Sequence, residues 1–239
     1  MISGKPVSSI SKGVRCFSKE ECDKFTQRVF RLEREGKLEP CENTWKTKKW
    51  HYQGSAPEKT MVVPIPLVPE AHEMGMRVLP LMEREVFKKL YPTYVYARLY
   101  RPGYELCRHT DRPSCEYSVS VTMGMGGREK PWMLYYEDNQ FDVHGFDLDV
   151  GYGMVYDGCI SPHWRQEMTH GWQLQVFFHY IEWGGQYYLD AKSIYQQLPE
   201  EQKKRFHIDF SKPWCDPRDL RFKYAPSYGF PIGVTKVDF

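Results

Sequence analysis

Tyr100-Arg-Pro-Gly-Tyr-Glu-Leu-Cys-Arg-His109-Thr-Asp111 leaves a β-prone run, turns at Pro102-Gly103 and enters a His-x-Asp triplet. On extended backbone the side chains alternate between faces, so His109 and Asp111, two positions apart, leave the chain on the same side. One imidazole and one carboxylate side by side supply two of the three protein ligands of a ferrous facial triad, which keeps further coordination positions open. The third ligand has to come from a strand that returns past the first. Gly153-Met-Val-Tyr-Asp-Gly-Cys-Ile-Ser-Pro-His163-Trp-Arg165 has that form: a strand, a tight turn, then a histidine opening the next strand. His109, Asp111 and His163 are therefore the candidate metal ligands. His207-Ile-Asp209 repeats the triplet, but no histidine follows it, so it reads as an ordinary surface or helix-end pair. His144 falls in an Asp-rich loop, and His170 and His179 flank or lie within the last strand.

Around this stretch the chain is rich in strand signals. Residues 94–100, 116–123, 132–137, 154–157 and 172–183 are strand candidates, separated by Arg101-Pro-Gly103, Gly124-Met-Gly-Gly127, Asp138-Asn139 and Gly151-Tyr-Gly153. Short strands with turn chemistry between them and no intervening helices predict an antiparallel sandwich or barrel. Upstream, Ser18-Lys-Glu-Glu21 has the pattern of a capping box, Phe25, Val29, Phe30 and Leu32 follow at helical spacing, and Gly36 marks a stop. A second helix is expected from Pro69 toward Leu90, with Pro80 predicting a kink or a break. A third is expected over residues 190–206. The fold class is thus mainly β with flanking helices. The chain reads as a single domain over 1–239, with helical support in 1–92, the β core carrying the metal site in 93–183 and a C-terminal extension in 184–239.

Composition removes several alternatives. Apolar residues make up 41% of 239 positions, enough for a packed core, and the 33 basic and 31 acidic residues nearly cancel to +2. That balance offers no electrostatic footprint for nucleic acid and no pull toward a membrane surface. The apolar stretches at 61–68 and 176–181 fall far short of the roughly 20 residues a bilayer requires. The first residues carry no continuous apolar stretch of the secretory kind. Seven cysteines, Cys16, Cys22, Cys41, Cys107, Cys115, Cys159 and Cys215, have no CxxC spacing and argue for a reducing, cytoplasmic setting. Cys107 and Cys115, beside the ligand candidates, read as packing residues.

Tyr100-x-x-Gly103 upstream of His109-x-Asp111, with the later His163, resembles the iron(II)- and 2-oxoglutarate-dependent oxygenases, most closely the small prolyl-4-hydroxylase-like branch. The resemblance covers about residues 93–183. It implies a double-stranded β-helix (a jelly roll), in agreement with the strand pattern. It further implies Fe(II), 2-oxoglutarate and O2 as reactants, with ascorbate as reductant in assays. The implied reaction couples oxidative decarboxylation of 2-oxoglutarate, with release of succinate and CO2, to oxidation of a substrate C–H bond. Hydroxylation, desaturation and oxidative ring closure are all within that chemistry.

One position departs from the resembled pattern. Ten residues after the second histidine, where prolyl-hydroxylase-like members carry Lys or Arg for the distal carboxylate of 2-oxoglutarate, this chain has Gln173. Gln173 can donate hydrogen bonds but carries no charge, and a buried carboxylate without a cation is costly. Arg98, on the strand face of Tyr100, and Arg165, on the face of His163, are the candidates to supply it; Tyr100 itself is expected beside the cosubstrate. Arg112 and Trp164 are candidate substrate contacts, and Trp132, Tyr135, Tyr136 and Trp172 are further pocket candidates. The arginines near the site (Arg98, Arg101, Arg108, Arg112, Arg165) favour a small, amino-acid-derived anionic substrate over a protein. The alternatives are prolyl-hydroxylase-like modification of a protein, or a cupin-type metal enzyme that does not use 2-oxoglutarate.

Overall fold

The computed structural model describes residues 11–40, 60–138 and 140–197. In chain order the elements are β1 (Ser11–Arg15), α1 (Lys19–Arg34), β2 (Glu39–Pro40), β3 (Thr60–Val62), α2 (Glu70–Val86), β4 (Leu90–Tyr100), β5 (Leu106–His109), β6 (Tyr117–Gly126), β7 (Leu134–Glu137), β8 (Val143–Phe146), β9 (Tyr152–Asp157), β10 (His163–Arg165), β11 (Trp172–Glu182) and α3 (Gln186–Gln197). They build two antiparallel sheets. The larger has the order β1-β9-β6-β11-β4-β3-β2, the smaller β5-β10-β7-β8. Three short strands from the N-terminal zone, β1, β2 and β3, join the large sheet beside the long β4, β6 and β11.

Alternation along the long strands sorts their side chains into two cores. Val95, Ala97 and Leu99 of β4, Val119, Val121 and Met123 of β6, and Val176 and Phe178 of β11 pack with Phe25 and Val29 of α1 and Met74, Val78 and Met82 of α2. Each of the larger side chains among them stabilises the fold by about 1.5–3 kcal/mol. The other core lies between the sheets and is aromatic: Tyr100, Tyr104, Trp132, Tyr136, Phe146 and Tyr156, with Met154 and Met168. The metal-ligand candidates open onto this second layer.

The capping box is present as expected. The backbone amide of Glu21 donates to the Ser18 hydroxyl while the Glu21 carboxylate accepts from the Ser18 amide. α1 stops at Gly36, whose φ of 65° is the left-handed region that glycine enters freely. Pro80 does not break α2, which runs through it. Pro80 is exposed, so the carbonyl it leaves without a donor lies on the solvent side, where water can satisfy it. α2 ends at Val86, short of the expected Leu90, because Phe87 turns left-handed (φ 55°) and β4 then begins at Leu90. Pro92 is tolerated in β4 because, among the described residues, β3 pairs only with Arg98–Tyr100 and no ladder runs along that flank at Pro92.

Two expectations are corrected. His144 lies in a strand, β8, opposite Tyr136 on β7, and not in a loop. Gly145 and the flanking aspartates obscure its alternation. α3 begins at Gln186, before the expected residue 190; the rest of the expected helix, and His207, Asp209, Cys41 and Cys215, lie outside the described residues. Cys16, Cys22, Cys115 and Cys159 are free thiols. Among the described residues, no helix is long and apolar enough to cross a membrane.

Candidate metal centre

β10 is the middle strand that brings the centre together. It pairs with β5 so that His163 stands directly opposite His109, and the turn after β9 carries Gly158, whose carbonyl accepts the Asp111 amide at 2.7 Å. Nε2 of His109 is 3.5 Å from Oδ1 of Asp111, and Nε2 of His163 is 3.7 Å from Oδ2. The two imidazole centroids are 4.4 Å apart. All three ligand atoms lie within 4.8 Å of one another. His163 is buried, and its Nδ1 meets the Ser161 carbonyl at 3.0 Å. That bond takes the Nδ1 proton and turns the bare Nε2 lone pair toward Asp111.

The electrostatics suit a divalent cation. Burial pulls His163 down to about 4, against the opposing influence of Asp111, so the ring is neutral at pH 7. Burial by itself would raise Asp111, but the neighbouring imidazoles of His163 and His109 outweigh it and hold the carboxyl near about 2. Oδ2 of Asp111 is buried and accepts no hydrogen bond from the described residues. An ionised, buried oxygen without a partner is costly unless a cation meets it. Two imidazoles and one carboxylate with that bare oxygen fit an octahedral ferrous ion with open positions.

Cys115 and His179, which sequence reasoning passed over as ligands, also place a ligand atom within 4.8 Å of Asp111. One polar atom of each is engaged: Cys115 Sγ contacts the Tyr94 hydroxyl at 2.9 Å and His179 Nδ1 the Ser118 hydroxyl at 2.8 Å. Arg112 lies over the Tyr94 ring at 4.7 Å and against Cys115, a cation that disfavours a second one there. These residues frame Asp111 from behind.

Arg165 shares the inward face of β10 with His163. Its side chain is 3% exposed, one Nη1 proton goes to the Trp132 carbonyl, and Nε is buried with no acceptor. Its guanidinium lies over the Trp132 ring at 4.8 Å. Gln173, fully buried, accepts the Trp132 amide at 2.6 Å through Oε1 and so ties down the segment before β7 that carries that ring. Arg98 donates from Nε to the Tyr96 hydroxyl at 3.0 Å and from Nη1 to the Tyr104 hydroxyl at 2.6 Å. Tyr100 packs between Tyr104 and Trp132 in the same layer.

No family model and no curated protein matches the sequence. Solved structures do match the fold. A prolyl-4-hydroxylase from Pseudomonas putida superposes with a TM-score of 0.58 at 15% identity, covering 74% of this chain and 94% of its own. The non-haem alpha-ketoglutarate-dependent epimerase of nogalamycin biosynthesis gives 0.54 at 11%, covering 73% and 79%. A 2OG-Fe(II) oxygenase family oxidoreductase from Burkholderia pseudomallei gives 0.54 at 11%, covering 75% and 86%. The chain has the 2OG-Fe(II) oxygenase fold. The jelly-roll expectation is therefore met, the two sheets forming its two faces.

Within this oxygenase fold, not every expected residue reaches the centre. Trp164 follows His163 on β10 and so points to the opposite, outer face, stacked on Tyr135 at 5.8 Å. Trp164, expected as a substrate contact, therefore stands on the face away from the His163 ring, and the structure does not bring it to the centre. Trp172 packs edge-on against Phe30 of α1, away from the site. Trp132 and Tyr136 do lie in the layer between the sheets. Two of the arginines counted toward an anionic site are spent elsewhere: Arg101 on Glu33 at 2.6 Å and Arg108 on Glu137 at 2.7 Å. Sequence reasoning missed Tyr156, whose ring lies 4.7 Å from that of His163. Its place on β9, one turn before His163, was the available signal.

Proposed function

We propose that this chain is an Fe(II)/2-oxoglutarate-dependent dioxygenase that oxidises an unactivated C–H bond of a small, amino-acid-derived anionic molecule. The observation that carries the reading is Arg165, a buried guanidinium whose Nε has no acceptor, two residues along β10 from the ligand candidate His163. Two residues of strand span roughly 6.6 Å, the scale on which a five-carbon 2-oxo acid separates its metal-binding end from its remote carboxylate. A buried cation needs such a partner, and a planar carboxylate suits the guanidinium fork.

His109, Asp111 and His163 would hold the iron, which supplies the activation of dioxygen and the oxidative decarboxylation of 2-oxoglutarate to succinate and CO2. The Ser161 carbonyl keeps the His163 tautomer fixed. Arg165 neutralises and orients the cosubstrate, and the ring of Trp132 beneath it excludes water from that charge pair. Tyr100, Tyr104 and Tyr156 belong to the same buried aromatic cluster as Trp132. Arg112, next to Asp111 in the chain and stacked on Tyr94, is the residue we assign to an anionic group of the substrate. The fold likeness to prolyl hydroxylases favours a peptidyl proline as the second reading.

Anaerobic addition of Fe(II) and then 2-oxoglutarate tests the reading directly: the weak visible charge-transfer band of a chelated 2-oxo acid should appear. Succinate formed under Fe(II), ascorbate and air then reports turnover. Absence of both the band and succinate sinks the proposal. Stimulation of succinate release by proline-containing peptides, and not by amino-acid-derived anions, selects the peptidyl reading.

A further inference from the structure

The small sheet ends on β8, and among the described residues no strand pairs with its outer side. The register settles which backbone groups that side presents. Glu137 stands opposite Val143, and Tyr135 opposite Gly145. The Glu137 amide donates away from β8, to the Pro162 carbonyl at 2.9 Å, while at the end of the hairpin the Asp138 amide donates to the Asp142 carbonyl at 3.0 Å. Facing residues of an antiparallel pair alternate between bonded and non-bonded. Tyr136 and His144 therefore share ladder bonds, and Val143 and Gly145 turn their N–H and C=O groups outward. Both are exposed, Val143 to 56%. β8 carries no proline, lysine or bulge, the devices that blunt an edge.

Apolar surface flanks this edge, and its charge has one sign. A Cβ on Gly145 would fall 2.5 Å from Met133 Sδ and 3.2 Å from Tyr135 Cε1, so these two side chains cover the sheet face there. In the loop before β8, Phe141 is 81% exposed with a φ of 66°, a backbone region that phenylalanine seldom adopts. Asp138 keeps it there: its carbonyl accepts the Phe141 amide at 3.0 Å, and its Oδ1 accepts the amides of Gln140 and Asp142 at 2.8 and 3.0 Å. Residues 142–149 include Asp142, Asp147 and Asp149 and neither Lys nor Arg. All three aspartates are exposed, and none is in an ion pair among the described residues. Glu137 and Asp138, by contrast, are paired with Arg108 and His144.

We propose that the free edge of β8 docks a basic, extended peptide segment of a partner protein, which adds to the small sheet as a fifth strand. The outward groups of Val143 and Gly145 supply the ladder, Phe141, Val143 and Met133 receive apolar side chains, and the aspartates select Lys or Arg. A second copy of this chain would set the same aspartates against one another across the edge, which is destabilising. With β7 and β8 between them, the added strand lies about 14 Å from β10 and His163. It recruits a partner and does not present the bond to be oxidised, so the inference is independent of the reading of the metal centre.

Fluorescence anisotropy of a labelled twelve-residue peptide of alternating Lys and Val, titrated with the full chain, tests this. The peptide should bind saturably, more weakly as salt rises, and the same peptide with Glu for Lys should not bind. Val143→Pro removes one outward N–H without touching a bond to β7, and should raise the Kd about tenfold. N-methylation of alternate peptide amides should do the same, and that arm needs no variant to fold. Replacing Asp142, Asp147 and Asp149 together by Asn should weaken binding and flatten its salt dependence. Absence of saturable binding overturns the inference. So does equal binding of the N-methylated and unmodified peptides, which marks attraction by charge alone. A wild-type dimer in sedimentation that Val143→Pro dissociates gives the edge to a second copy and overturns it as well.

Discussion

Gly158 lies against the back of the Asp111 carboxylate: a Cβ there would sit 2.8 Å from Oδ2 of Asp111 and 2.3 Å from the Cys115 carbonyl oxygen. The turn cannot retreat easily, because the Gly158 amide donates to the Glu116 carbonyl at 2.9 Å and its carbonyl accepts the Asp111 amide at 2.7 Å. Gly158→Ala must therefore displace Asp111 or the backbone that holds it. Loss of such outer support costs metal sites about 10–100-fold in affinity. Titration with Mn(II) should show a loss in that range, and an unchanged affinity would refute the tight approach.

The ligand set makes a prediction about metal binding, because Oδ2 of Asp111 is buried with no hydrogen-bond partner among the described residues. Added Mn(II) should raise the melting temperature of wild type and leave Asp111→Ala and His163→Ala where they are. His144→Ala is the control, since His144 pairs with Asp138 on the small sheet and is no part of the centre. A metal-induced rise in Asp111→Ala would remove it from the ligand set.

Arg98 and Arg165 are equal candidates in the sequence and unequal in the structure. Arg98 spends its Nε and Nη1 on the Tyr96 and Tyr104 hydroxyls, whereas Arg165 is buried with a free Nε. Arg165→Met should raise the 2-oxoglutarate KM about ten- to a hundredfold, as expected for a charged hydrogen bond of roughly 1.5–3 kcal/mol. Arg98→Met should leave that KM near wild type. The reverse ranking in a succinate assay would put the cosubstrate on the other strand.

What was legible in the chain follows the physics of each signal. His109-x-Asp111 could be read because period-two alternation is a local property, and His163 because a turn followed by a strand returns the chain by a known step. The capping box at Ser18 and Glu21 is equally local. β8 was illegible because Gly145 and its aspartates mask a strand whose order comes from pairing with β7. Trp164 was misassigned although the same alternation rule that placed His163 inward places its neighbour outward.

The N-terminus of α1 gives a pH-dependent stability term with a definite sign. The Glu21 carboxylate accepts from the Ser18 amide and pairs with Arg77 of α2, and the Ser18 bond is the main reason its pKa falls from 4.5 to about 2. A carboxylate with a depressed folded-state pKa stabilises the fold fully above its unfolded value, and that contribution is lost as pH falls toward the folded one. Glu21→Gln should thus be less stable than wild type at pH 7, by an amount on the order of the ~1 kcal/mol typical of a helix cap. The difference should begin to shrink below about 4.5 and be nearly gone at about 2. Urea unfolding of the two proteins at pH 7, 5, 4 and 3 measures it. A gap that stays constant across this range would mean that the charge of Glu21 contributes nothing and that shape alone matters at the cap.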